Sequence, residues 1–292
     1  MGNPVSGQES LTVLQANHLR VYSFYKYGYN ETYFRQNIRL INYGQYRHSS
    51  YDYAGIHLAY GLTQRLTIEH EAGYFIDKQL RFHDPELDAL SRSGYGLSNG
   101  VVSLHYSVWN SKTTSSEISL AGGLKYPLSR QSMSVDGVEL PVELQPSTGA
   151  TGFVGRATVI LPLNPTGFLL FIQHRYEVNG ANKRNYTYGS AHQTSVSVGI
   201  PVVRNFQTML QFRNEYRNAD TTPSAARLAS EGSNVVFVSP TLSWMAPGRI
   251  NLAVFADIPL YKHYFGEQLS NRFATGVSIS REFSFSRTPA LP

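Results

Sequence analysis

The chain contains no cysteine, which excludes disulfide stapling and every thiolate metal site and suits a compartment where stray thiols would be oxidised. Charge is also scarce. Charged residues make up 15% of the sequence, against roughly 25% in an ordinary soluble domain. Long apolar runs are missing as well: stretches such as Phe168 to Ile172 and Val235 to Val238 fall far short of the roughly 18 residues a membrane-spanning helix requires. The net charge of +5 is spread over single Lys and Arg residues with no basic stripe, so no nucleic-acid partner is expected. Met1-Gly2-Asn3-Pro4-Val5-Ser6 has neither a basic n-region nor an apolar h-region, and the expectation is a secretory signal already removed.

Aromatics and glycine are abundant, with 20 Tyr, 15 Phe and 24 Gly, while mean hydropathy is only −0.27. A membrane strand reconciles these values, because it shows lipid only every second residue and fills the lumen with the polar residues between. Period-two alternation recurs along nearly the whole chain. Ala54, Ile56, Leu58 and Tyr60 interleave with Gly55, His57 and Ala59, and Ile68, Ala72 and Tyr74 interleave with Glu69, Glu71 and Gly73. Between them lies only Thr63-Gln64-Arg65, a connection of hairpin length.

From residue 53 onward the unit appears eleven times, and a twelfth is read at 33–43, where Phe34, Ile38 and Leu40 alternate with Arg35, Asn37 and Arg39. Leu19 to Tyr27 is read as either a further strand, which would raise the count toward fourteen, or a segment lying in the lumen. Short connections at 63–65, 110–116, 162–167, 201–205 and 245–249 alternate with long ones at 77–99, 127–151, 179–191, 217–233 and 262–271. That asymmetry belongs to outer-membrane barrels. Aromatics at segment ends (Tyr60, Tyr126, Tyr176 and Trp244 among them) fit interfacial girdles. The fold expected is therefore all-β, a transmembrane up-and-down antiparallel β-barrel of about 12 strands in a Gram-negative outer membrane. The alternative is a soluble sandwich, in which the same apolar face covers a protein core. In domain terms, residues 1–30 form an N-terminal segment that is a lumenal plug or an extra strand, 31–287 the barrel and 288–292 a tail.

Several segments resemble a group of outer-membrane transporters associated with the meta-pathway of phenol degradation. They are Val238-Ser239-Pro240, Ile258-Pro259-Leu260-Tyr261, Gly266-Glu267-Gln268-Leu269 and the turn Gly61-Leu62-Thr63-Gln64-Arg65-Leu66. The resemblance implies a barrel importing small hydrophobic or aromatic molecules, and no catalytic residues. The end of the last strand, Val277 to Phe285, is similar to the C-terminal signal of such barrels, although seven residues follow it.

Candidate chemistry is sparse. Gly96-Leu97-Ser98-Asn99-Gly100 resembles the Ser-Asn-Gly element of outer-membrane phospholipases, whose serine needs a histidine base two positions earlier. Here that position is Gly96. No catalytic residue, cofactor or metal site is expected, and the nine histidines never occur as His-x-His. The inward positions would carry Arg35, Arg39, His57, Glu69, Glu71, His105, Lys125, Arg156, Arg175, Gln207, Gln211, Arg213, Glu215 and Asp257. Of these, Glu69, Glu71, Arg156, Arg175 and Arg213 are the expected pore-lining residues. Such groups either select a passing solute or brace the barrel. The partners expected are outer-membrane lipid and lipopolysaccharide, a small solute and a docking protein. The function expected is a narrow channel, with a plugged structural or partner-binding barrel as the alternative and a lipid hydrolase as the third.

Overall fold

The computed structural model describes residues 4, 12–89, 91–111, 113–129, 132–163, 165–222, 227–228 and 232–285. Eleven strands close into one antiparallel barrel: β1 (His18–Gln36), β2 (Tyr46–Gly61), β3 (Leu66–Phe82), β4 (Asn99–Ser111), β5 (Ser116–Pro127), β6 (Gly152–Leu163), β7 (Phe168–Asn179), β8 (Ala191–Val203), β9 (Phe206–Arg217), β10 (Gly232–Ala246) and β11 (Ile250–Ser284). Each pairs with the next, and β11 pairs back onto β1 from His18 opposite Ser284 to Gln36 opposite Tyr264. Closure leaves no edge, which a sheet in hydrocarbon requires because no water is present to satisfy free N–H and C=O groups. Two short strands extend the same sheet outside the barrel, Ile38–Leu40 on β1 and Ser93–Leu97 on β3, and two small ribbons stand apart from it, Ser134–Val135 with Val138–Glu139 and Asp220–Thr221 with Arg227–Leu228.

An uninterrupted strand of 35 residues would extend roughly 115 Å at about 3.3 Å per residue, several times the hydrocarbon thickness. β11 is instead a hairpin of two legs. Its first leg pairs with β10 from Ile250 opposite Ala246 to Phe265 opposite Gly232, and its second returns along β1. Gly266, at φ +83°, sits at the reversal, and the Thr275 hydroxyl donates across the legs to the Phe255 carbonyl at 3.1 Å. Counted by legs the barrel has twelve staves.

The first stave is not where alternation placed it. Leu19 to Tyr27 lies within β1, whereas 33–43 makes no crossing: Ile38–Leu40 folds straight back onto Tyr33–Arg35, through Gln36 at φ +53°. Ile38 and Ile41 are among the most exposed apolar side chains, and Arg35 and Arg39 stand exposed rather than in the lumen. Three alternating apolar residues carry the same pattern in a short hairpin above the membrane as in a strand through it. The expected loop 262–271 is likewise the tip of the β11 hairpin, with pairing continuing to residue 265.

The barrel begins at His18, so a boundary at residue 30 falls inside β1. Residues 288–292 lie outside the described residues, as do 1–3 and 5–11. Both barrel ends meet on the short-turn side, periplasmic by the usual rule for these barrels.

The two faces of the sheet settle its solvent. Outward residues such as Leu104, Leu124 and Phe153 are 50%, 57% and 64% exposed, while inward Glu69 and His105 are 0% exposed. A soluble sandwich would show the reverse distribution and a second layer. This single closed sheet turns its apolar face outward, as a bilayer demands. No helix among the described residues is long and apolar enough to cross a membrane. The protein is an outer-membrane β-barrel.

Candidate functional site: the barrel lumen

Inward side chains come from alternate positions, so neighbouring strands stack charges at one level. Glu69 and Glu71 occupy successive inward positions on β3. Facing them across the lumen are Arg156 on β6 and Arg175 on β7. Arg175 donates from both terminal nitrogens to the two oxygens of Glu71 at 2.9 Å each, the bidentate geometry that favours arginine over lysine. Arg156 donates to Glu69 Oε2, and His105 Nδ1 lies 2.9 Å from Glu69 Oε1. Because an ionised carboxylate only accepts, Nδ1 carries a proton, and Nε2 lies 2.8 Å from the Ser119 hydroxyl. His57 Nε2 stands 3.7 Å from Glu69 Oε2.

A second cluster lies on the opposite arc. Asp257 on β11 accepts from Lys26 Nζ at 2.6 Å, from Arg213 Nη2 at 2.9 Å and from the Ser239 hydroxyl at 2.5 Å. Arg213 also donates from Nε to Glu215 at 2.8 Å and packs over the Phe237 ring. Farther toward the long loops, Lys125 pairs with Glu177 and donates to Asn179 at 2.8 Å. Every one of the five expected pore-lining residues therefore faces the lumen, and each is held in an ion pair. Arg213 at 1%, Asp257 at 2% and Lys26 at 4% exposure show how completely these groups fill the middle of the barrel. They form an ionic septum.

Charge was legible from alternation, but the aromatic wall beside it was not. Tyr22, Phe24, Tyr53 and Phe75 follow one another at ring-centroid separations of 5.8, 5.8 and 4.8 Å, within the range of favourable aromatic pairing. Phe24 lies against Gly55 and Tyr53 against Gly73, so closely that a Cβ on either glycine would meet the ring. Lys26 and Phe24 lie in the segment 19–27, which the sequence leaves open between strand and lumenal segment. The alternation Tyr22-Phe24-Lys26 against Val21-Ser23-Tyr25 was the available signal.

On the long-loop side of the septum lies a cavity of about 330 Å³, walled by Tyr51, Phe75, Phe237 and Tyr264, with Arg175 and Arg213 at its base. Pro4 also lines it. At the short-turn end, the N–H of Leu14, a buried residue, donates to Thr67 Oγ1 at 2.8 Å and that of Val13 to Glu117 at 3.2 Å. A larger concavity of about 880 Å³ lies on the outer wall among Tyr25, Tyr74 and Trp244 and faces the bilayer.

The Ser98 hydroxyl is taken up by structure: it donates to the Gly73 carbonyl at 3.0 Å and lies 3.2 Å from Tyr53 Oη. Among the described residues no group of three or more His, Asp or Glu side chains is arranged to hold a metal ion. Around Glu69, where two histidines come nearest to such a group, Arg156 supplies the cation.

Outside the membrane, the long loops are tied by Asp220, which is fully buried. It accepts from Tyr186 Oη at 2.6 Å, from the Gly189 N–H at 2.7 Å and from Arg217 at 2.8 and 3.0 Å. Burial pushes this carboxyl up, but Arg217 and the two hydrogen bonds outweigh it and hold the pKa below the usual aspartate value.

No family model matches the sequence, and no curated protein matches it either. Among solved structures, the fold is similar to an outer membrane channel from Pseudomonas putida F1, with TM-score 0.75 and 10% identity over 96% of this chain and 100% of that one. It is also similar to the beta domain of a Bordetella autotransporter, with TM-score 0.52 and 10% identity over 91% of this chain and 100% of that one. At this identity the likeness is one of fold, the outer-membrane β-barrel.

Proposed function

We propose that this barrel is an outer-membrane channel for small solutes of aromatic character. The observation that carries the reading is the cavity on the long-loop side, where rings of Tyr51, Phe75, Phe237 and Tyr264 share the wall of a space of about 330 Å³ with the paired charges of Lys26, Glu177, Glu215 and Asp257. That volume lies in the range of small-molecule sites, which are typically about 300 Å³ and upward. The similarity of fold to an outer membrane channel supports the reading, and so does the resemblance of its turn and strand motifs to phenol-pathway transporters. Arg175 and Arg213 at the cavity base are already paired, so they hold no uncompensated charge against a neutral ring.

Planar-bilayer recording tests this. Small unitary steps are expected, blocked reversibly by phenol and only weakly by glucose. Phe75→Ala and Phe237→Ala should weaken the phenol block. A channel indifferent to phenol would sink the aromatic assignment, and silence in every condition would sink the channel.

Silence is what the second reading expects, a structural or partner-binding barrel. The observation favouring it is the septum, whose charged side chains are nearly all buried, together with Leu14 and Pro4 on the two sides of it.

A further inference from the structure

The septum accepts and donates unequally. Each oxygen of Glu69, Glu71 and Asp257 already receives at least one hydrogen bond: from His105 and Arg156 for Glu69, from Arg175 for Glu71, and from Lys26, Arg213 and Ser239 for Asp257. Donors, by contrast, are left over. Arg156 Nε, Gln173 Nε2 and Thr158 Oγ1 are buried with no hydrogen-bond partner among the described residues, and His57 beside them makes only a 3.7 Å approach to Glu69. Arg156, Thr158 and His57 are 6%, 1% and 2% exposed.

These orphans share one place. Thr158 and Gln173 are register partners on β6 and β7, and Arg156 and Arg175 are the next inward pair toward the long loops. His57 meets them from β2 across Glu69. Buried polar groups are almost always satisfied, so a set left open on one inner wall marks a place where something else bonds. A cation arriving there meets carboxylates whose oxygens are all engaged. An anion meets a guanidinium N–H, an amide N–H and a hydroxyl, without first breaking an ion pair.

We propose that this patch is a binding site for a small monoanion, a halide or a carboxylate, and that it makes the septum prefer anions to cations. The preference rests on the channel reading; the binding site does not. It arises from donor surplus rather than net charge, because the two carboxylates of β3 are matched by the two arginines facing them.

Two measurements on the full chain separate the claims. Crystals soaked in bromide should show an anomalous peak within hydrogen-bonding distance of Arg156 Nε and Gln173 Nε2, and its absence would overturn the site. In planar bilayers under a potassium chloride gradient, the reversal potential should indicate chloride preference. Thr158→Val with Gln173→Leu, which leaves both ion pairs intact, should lower the chloride-to-potassium permeability ratio about fivefold, the worth of roughly one neutral hydrogen bond. Cation preference, or a ratio unchanged in the double variant, would overturn the selectivity. Bromide bound in a silent barrel would refute the channel while leaving the site.

Discussion

Glu71 and Arg175 span the lumen from β3 to β7 as a bidentate pair with two bonds of 2.9 Å, and their side chains are only 12% and 9% exposed. Arg175→Met leaves the Glu71 carboxylate in a nearly closed interior without its counter-charge, and Glu71→Leu does the converse. Removing one partner of a buried pair costs about 3–5 kcal/mol. Replacing both by apolar residues of similar volume is often close to neutral, because the desolvation of the two charges disappears together with their attraction. Each single variant should therefore lose about 3 kcal/mol, and Glu71→Leu/Arg175→Met only about 1 kcal/mol, giving a coupling of about 5 kcal/mol. Urea unfolding of the vesicle-inserted barrel supplies the free energies, with the chain's two tryptophans as probes. Single losses below about 1 kcal/mol, or a double loss equal to the sum of the singles, would show that the pair is solvated and that the septum is open water. The same double variant removes the only salt bridge described between β3 and β7, so its unitary conductance should rise.

Three further outcomes follow from the geometry. Gly55→Val drives a branched side chain into the Phe24 ring and should cost about 1–3 kcal/mol as an overpacked interior does, read by the same unfolding curves; no change would mean the ring moves freely. Deleting the residues before Gln15 removes the Leu14 contact with Thr67 and should enlarge the conductance step, whereas an unchanged step would show that this segment does not narrow the mouth. Asp220, with its pKa held down in the folded loops, contributes stability that is fully present above the unfolded aspartate value of about 3.9 and lost as pH falls through the lower folded value. Exchange protection of the Gly189 amide, corrected for intrinsic rate, should therefore collapse in that acidic window. In Asp220→Asn it should be weaker throughout and free of that transition; a wild-type-like profile in the variant would refute the assignment.

Alternation alone decided which residues face lipid. Ile56, Ile68, Leu104, Leu124 and Val254 all point outward because strand periodicity is fixed at two and needs no knowledge of neighbours. For the same reason Glu69, Glu71, Arg156, Arg175 and Arg213 could be placed on the inner face. Their partners could not, since Glu71 and Arg175 lie 104 residues apart and meet only when the sheet closes. Pattern also could not distinguish 33–43 from a crossing strand, because a short hairpin above the membrane shows the same alternation, and the true first stave was fixed by pairing with β2 and the returning leg of β11. The saturation of the septum carboxylates and the donors left over on β6 and β7 are properties of side chains converging from many strands. The sequence by itself determined a barrel with a polar interior; closure decided which of those polar groups cancel and which remain to meet a solute.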